Sequence, residues 1–291
     1  MEELSDEMAP PVVVDAKHGG GASLFKDMAA CPFRAFAKHR LSARELEDTD
    51  LGLNYKDRGT TVHKALEFIW NELGSQAHLI ALTPDELGDL IARATESAIR
   101  KLGAGVGLSV ERRRLARVLA EWLDIEKSRS EFVVRKQEEE GLVTLGGLQI
   151  RTRADRVDES PDGLQIILDY KTGKVKLSGW DGDRPDEPQL PLYCATSDQP
   201  IAGAAFVLIR VGELELKGLA DARIAPPGLK KMTMGIPRTF GEQKAEWKRV
   251  LEKLADDFRT GHAEVDPKRD ACEHCGLKAL CRIRELENDR G

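Results

Sequence analysis

Apolar positions Leu24, Phe25, Met28, Ala29, Phe33 and Phe36 recur at helical spacing near the start of the chain, interrupted by Cys31-Pro32. Ser23 is a good N-cap residue and proline cannot continue a helix, so the pattern predicts helical segments that break after Cys31. Residues 44–57 are polar and read as a loop. Gly59-Thr60 then opens a helix with the apolar stripe Val62, Leu66, Ile69 and Leu73, and His63 lies beside that stripe. Thr83-Pro84-Asp85-Glu86 places an N-cap, a first-turn proline and two early acids ahead of a helix reaching Leu102, which Gly103 to Gly107 ends. A further helix from Ser109 to Ser128 carries Leu115, Val118, Leu119 and Trp122. Residues 84–128 are therefore expected to form a helical insertion with no chemistry of their own.

The period then changes to that of strands. Phe132 to Glu139 and Leu142 to Leu145 read as strands, and Gly146-Gly147 is a two-residue turn into Leu148 to Asp158. Ser160-Pro161-Asp162-Gly163 is a second turn, since proline presets φ and glycine accepts a positive one; Leu164 to Tyr170 is an apolar run of strand length. After a loop over Val175 to Glu187, Pro188 opens a helix that sets Gln189 and Tyr193 one turn apart on one face. Ile201 to Val211 and Glu213 to Ala222 form another hairpin about Gly212, Ala225 to Thr239 is a loop, and Phe240 to Thr260 is an amphipathic helix. The alternation predicts an α/β (mixed α+β) domain over 23–291, and the Pro/Gly-rich residues 1–22 read as a linker or junction.

Composition changes this picture little. The 291 residues are 41% hydrophobic and 32% charged, and no apolar run is long enough to span a bilayer. Glu2, Glu3, Asp6 and Glu7 are unlike a secretory signal, which leaves a cytoplasmic location with reduced thiols as the expectation. Net charge is -6, so only local patches suit a polyanion: Lys26, Arg34, Lys38, Arg40 and Arg44; Arg112-Arg113-Arg114; and Lys230-Lys231 with Arg238. The acids Asp181, Asp183, Asp186 and Glu187 lack the ligand spacing of a calcium loop.

The chemistry concentrates between Arg151 and Lys174. With the turn at Pro161-Asp162, Asp155 and Asp169 fall roughly opposite each other on neighbouring strands, where like charges repel. Such a pair belongs in full solvent or around a cation, and Mg²⁺ takes carboxylate oxygens together with water and phosphate. Lys171, two residues on, shares the face of Asp169. Two acids and a lysine so placed suit phosphodiester hydrolysis, the lysine orienting water or offsetting developing charge. The alternative is a charged hairpin edge on which Lys171 merely pairs with Asp169.

The order Asp155, then Asp169-Tyr170-Lys171, resembles the PD-(D/E)xK nuclease superfamily; Gly59-Thr-Thr-Val-His63 and Gln189-Leu-Pro-Leu-Tyr193 resemble the Gly-x-x-x-His and Gln-x-x-x-Tyr elements of its RecB-type branch. The resemblance spans roughly Ser23 to Arg284, with Thr152 and Ala154 standing where relatives often carry glycine and a larger aliphatic residue. It implies a restriction-endonuclease-like fold, a central mixed sheet flanked by helices. It further implies Mg²⁺ or Mn²⁺ held by His63, Asp155 and Asp169, catalysis by Lys171, and Gln189 and Tyr193 either touching the DNA backbone or holding the surroundings of the lysine.

Five cysteines remain. Cys194 reads as core, while Cys272, Cys275 and Cys281 cluster at the end of the chain and Cys31 lies far upstream. In a reduced compartment this argues for metal ligation, and the spacing leaves tetrahedral zinc and an iron–sulfur cluster both open. An early Cys-Pro-Phe followed by a terminal C-x-x-C-x-x-x-x-x-C resembles the four-iron four-sulfur pattern of AddB-type nucleases and of Cas4, which implies a 4Fe-4S cluster with His274 as a bystander. Three functions follow as expectations: a metal-dependent DNA exonuclease of repair or recombination, often a module of a helicase-like protein; a Cas4-like exonuclease of CRISPR adaptation; or a non-catalytic DNA-end-binding module.

Overall fold

Gly146 and Gly147 both adopt positive φ, 55° and 78°, and fold Val133–Leu145 (β2) back on Leu148–Glu159 (β3) as a long antiparallel hairpin. The computed structural model describes residues 8–12, 17–18, 20–44, 55–102, 108–221, 223–224, 226, 229–231, 239–273 and 275–283. Most of the expected linker, the loop over 45–54, residues 103–107, Arg238 and His274 lie outside these. β2 is one strand where the sequence suggested two, because the chain passes through Gly141 without turning. A Cβ at Gly141 would meet Thr152 Oγ1 at 2.8 Å, so glycine lets β2 lie close on β3 there.

Among the described residues, seven strands form one mixed sheet. Gln165–Lys171 (β4) runs antiparallel to β3 and parallel to Ile201–Arg210 (β5); Glu213–Ala220 (β6) returns antiparallel, and Lys230–Lys231 (β7) closes that edge. Lys17–His18 (β1), within the segment read as a linker, pairs parallel with β3 at Gln149 and Ile150. Nearby, the amides of Ala9 and Val12 donate to Gly261 O and Arg259 O at 2.6 and 2.7 Å.

Helices cover both faces, which is why β4 and β5 are almost wholly buried. On one face Tyr55–Leu73 (α3), Gln76–Ala81 (α4), Pro84–Ile99 (α5) and Leu108–Lys127 (α6) pack Val62, Ile69, Leu119 and Trp122 against Ile166, Leu168 and Val207. On the other, Gly21–Ala30 (α1), Gln189–Thr196 (α7) and Phe240–Thr260 (α8) pack Phe25, Leu192 and Trp247 against Val157, Ile167 and Phe206. The expected insertion is thus half of the wall over one sheet face.

Two helix starts differ from expectation. α1 begins before Ser23, whose hydroxyl donates back to Gly20 O instead of capping. α3 begins at Tyr55, so Gly59 is interior and faces Thr172, just past β4. Cys31 is extended, at φ -169° and ψ 123°, and separates α1 from Pro32–His39 (α2), as the proline requires. No helix among the described residues is long and apolar enough to cross a membrane.

Candidate active site

The ladder between β3 and β4 runs from Glu159↔Gln165 to Arg156↔Leu168 and stops. Beyond it β4 continues against β5, through Asp169↔Phe206 to Lys171↔Leu208, while the same edge of β3 next meets β1. The strands therefore fork, and Asp155 and Asp169 are the next residues in register at the crotch. An amide on the inner edge of β4 loses its ladder acceptor there, and a buried N–H needs a replacement. The Tyr170 amide donates to Asp155 Oδ2 at 2.8 Å.

His63 reaches the fork from α3, one turn beyond Gly59. Its Nε2 donates to Tyr170 O at 2.8 Å, because a carbonyl only accepts, and its Nδ1 lies 3.3 Å from Asp155 Oδ2. Both ring nitrogens thus engage protein groups, and the ring stands edge-on to Tyr170 at 5.6 Å.

Asp169 is 1% exposed and Asp155 7%. Asp169 Oδ2 lies 2.7 Å from Lys171 Nζ, a charged pair at hydrogen-bond distance, and Asp169 Oδ1 has no hydrogen-bond partner. Burial is the largest influence on its carboxyl and Asp155 adds to it; against the opposing pull of Lys171 they push it up to about 6. Burial works against the charge on Lys171, but Asp169 outweighs it and holds the ammonium above its ordinary value.

Lys171 is steadied from α7. Its Nζ donates to Gln189 Oε1 at 3.2 Å. Tyr193, whose hydroxyl burial pushes up, bonds both the Gln189 side chain and the backbone of Arg153. The two α7 side chains link Lys171 to the part of β3 that β4 has left.

Hard oxygen donors with unfilled valences suit a small divalent cation, and the buried pair Asp155 and Asp169 fits one. His63 would have to release Tyr170 O or Asp155 to join as a ligand. Among the described residues no three His, Cys, Asp or Glu side chains are already gathered closely enough to hold an ion.

The cysteines occupy a separate place. Cys31, Cys272, Cys275 and Cys281 line one small cavity with Phe33, Val265, Pro267 and Leu277. The tail is drawn to the α1–α2 break by backbone bonds from Phe33 N to Glu264 O and from Lys268 N to Ala30 O, at 3.0 and 2.8 Å. The Arg184 guanidinium adds bonds to Ala29 O, Ala30 O and Asp266. Lys278–Cys281 (α9) brings in the last thiol. All five thiols are free, and Cys194 sits in the core, where burial pushes it up to about 12.

Several residues of the first two basic patches are paired with acids. Arg34, Lys38 and His39 surround buried Asp27 at 2.7, 3.7 and 3.0 Å, Lys26 meets Glu187 at 2.7 Å, and Arg112 and Arg114 pair with Glu96 and Glu111. Two more acids of the 175–187 loop are likewise paired, Asp183 with Arg249 and Asp186 with Lys268. The sequence reading missed a buried ring of charge behind the fork, Arg156, Asp158, Glu126 and Arg129. Its one signal was Arg156 and Asp158 two apart on one strand face, beside the apolar run of β4.

A mixed sheet between helical layers, with two strands parting around an aspartate pair and a lysine, is the restriction-endonuclease-like architecture. The chain belongs to the PD-(D/E)XK nuclease superfamily, which it matches over residues 22–282. It is a nuclease-family domain, and DNA is the substrate that this implies. No curated protein matches the chain. A crystal structure of SSO0001 is similar over 90% of this chain and 95% of that one at 17% identity, with a TM-score of 0.30, too distant to carry function.

Proposed function

We propose that this chain is a metal-dependent DNA exonuclease of the RecB/AddB-like branch, acting in DNA repair or recombination as a module of a larger helicase-like protein in the cytoplasm. The nuclease domain would span 23–291, with 84–128 as its helical insertion. The observation that carries the catalytic reading is Asp169: a carboxylate 1% exposed, paired with Lys171 at 2.7 Å on Oδ2, with no hydrogen-bond partner on Oδ1, and set beside a second buried acid, Asp155. Burial of such a group is unfavourable unless something charged completes it.

Asp155 and Asp169 are the ligands, and His63 holds Asp155 from α3 or joins them as a third. Bound Mg²⁺ or Mn²⁺ supplies Lewis-acid polarisation of a phosphoryl oxygen and a more acidic water. Lys171 presents a fixed ammonium to the charge that develops on the phosphate and orients the attacking water. Gln189 and Tyr193 keep that ammonium from swinging away. The surrounding apolar strands exclude solvent, which strengthens each of these interactions.

Cys31, Cys272, Cys275 and Cys281 are proposed to hold a 4Fe-4S cluster, with zinc as the competing occupant. Their meeting in one cavity, from opposite ends of the chain, supports the shared ligand set. The test is incubation of the protein with end-labelled single- and double-stranded DNA in Mg²⁺, Mn²⁺ or EDTA. Metal-dependent loss of label from the ends supports the reading, and intact DNA in every condition overturns it.

A further inference from the structure

Behind the fork, on the face walled by α3 and α6, four charged side chains close a ring away from water. Arg156 Nε and Nη2 donate to the two oxygens of Asp158 at 2.5 and 2.8 Å, and its Nη1 and Nη2 donate to Glu126 at 2.7 and 3.3 Å. Arg129 bonds the same two acids at 2.6 and 2.8 Å. The guanidinium of Arg156 lies over Trp70 at 3.9 Å and Phe132 at 4.8 Å. Arg156 and Glu126 are 0% exposed and Asp158 1%. Two cations balance two anions, so the ring adds no net charge.

A ring of this kind is weak ground for stability, since apolar residues of equal volume often serve as well. What it supplies is a fixed geometry, and its exit is Tyr170. Arg156 Nη1 donates to the Tyr170 hydroxyl at 3.3 Å. Tyr170 is the residue between Asp169 and Lys171, its amide holds Asp155, and its carbonyl accepts from His63. Arg156 is also the residue after Asp155. Every candidate catalytic group on the two strands thus adjoins a member of the buried network.

We infer that Glu126, Arg156 and Tyr170 are positioning residues: the last turn of α6 acts through Arg156 and the Tyr170 hydroxyl to fix the main chain that carries Asp155, Asp169 and Lys171. The helical insertion is then part of the catalytic apparatus, although it touches no reacting atom. This rests on the nuclease reading above, and a small displacement of reacting groups is known to cost far more in rate than in stability.

The test compares wild type with Tyr170→Phe, which keeps the ring and volume, and with Glu126→Gln, which keeps the shape and removes the charge. Arg135→Gln, which breaks an exposed pair with Glu159 outside the network, is the control. Each protein is measured for kcat and KM on DNA, for Mn²⁺ affinity by electron paramagnetic resonance, and for melting temperature. Tyr170→Phe should lower kcat and Mn²⁺ affinity by about tenfold each. Its KM should hold and its melting point should fall by no more than about 4 °C. Glu126→Gln should shift kcat and Mn²⁺ affinity in the same direction, with Arg135→Gln like wild type. A Tyr170→Phe protein with wild-type kcat and Mn²⁺ affinity overturns the inference, as does a loss explained wholly by the unfolded fraction. If wild type binds Mn²⁺ but cuts no DNA, the nuclease reading fails while the Mn²⁺ comparison still decides the positioning role; wild type that does neither overturns both.

Discussion

Asp155 Oδ2 accepts a hydrogen bond from the Tyr170 amide at 2.8 Å, one register step beyond the last β3–β4 ladder pair, Arg156↔Leu168. A carboxylate has taken the place of a strand carbonyl at the point where two strands separate. Asp155 is thereby tied to the main chain between Asp169 and Lys171, and the three groups are held in place across the fork. The fork sets the geometry of these groups relative to one another.

Lys171→Met and Asp169→Ala should each lower DNA cleavage by about 100-fold or more, the scale seen when a preorganised electrostatic group is removed. Neither residue contributes an apolar side chain to the core, so far-ultraviolet circular dichroism should match wild type. Cleavage near the wild-type rate in both variants, in a single-turnover assay, removes the catalytic assignment.

Asp169 also makes a pH prediction for the metal-free protein. Its carboxyl is pushed up to about 6 in the fold, first by burial and then by Asp155, against an ordinary value of 3.8. A raised folded value means that the group favours folding while protonated: the contribution is complete below about pH 4 and is lost as pH rises through 6. The full span is about 3 kcal/mol, of which roughly half survives at pH 5 and almost none at pH 8. Asparagine does not titrate. In EDTA, the melting temperature of Asp169→Asn relative to wild type should therefore rise from pH 5 to pH 8 by a few degrees. A relative fall over that range would show that Asp169 is stabilised as the anion.

The α7 brace predicts a split between rate and stability. Tyr193→Phe removes one hydroxyl that bonds Gln189 and the Arg153 backbone, a loss of about 1 kcal/mol in stability. Gln189→Leu frees Lys171 Nζ from its 3.2 Å contact. Both should reduce kcat by about tenfold, as loss of a supporting contact does. Steady-state kinetics beside thermal melts test this; kcat unchanged in both variants would leave the brace as packing alone.

Much of the fork could be read from the chain because its information is local. The Pro161–Gly163 turn fixes the β3–β4 register, and the register sets Asp155 against Asp169. Four-residue spacing likewise put Gln189 and Tyr193 on one helix face. What escaped was non-local. Arg156 and Asp158 drew no reading of their own, and it is Glu126 from α6, Arg129, Trp70 from α3 and Phe132 that accommodate them in the interior. Gly59 read as a helix start, yet α3 begins a turn earlier, at Tyr55. Nothing in the order of residues 133–145 revealed that β2 continues through Gly141, since the close contact with Thr152 belongs to the partner strand.

The cysteine cavity carries the last prediction. Cys31 and Cys272 are about 240 residues apart, so a metal group joining them closes most of the chain, and loop-closure entropy of order (3/2)RT ln n places roughly 5 kcal/mol of constraint on the unfolded state. That is comparable with the whole stability of many domains. The backbone bonds of Phe33 and Lys268 and the Arg184 side chain already dock the tail on the α1–α2 break, but they are individually worth about 1 kcal/mol in exchange with water. Cys31→Ala should therefore lower the melting temperature by about 10 °C and release the tail, although no cysteine lies at the fork. Protein purified without air should be brown and contain iron and sulfide near four per chain, both lost in Cys31→Ala. A colourless anaerobic preparation with stoichiometric zinc would assign the site to zinc, and a Cys31→Ala protein that melts like wild type would remove the cross-link whichever metal is bound.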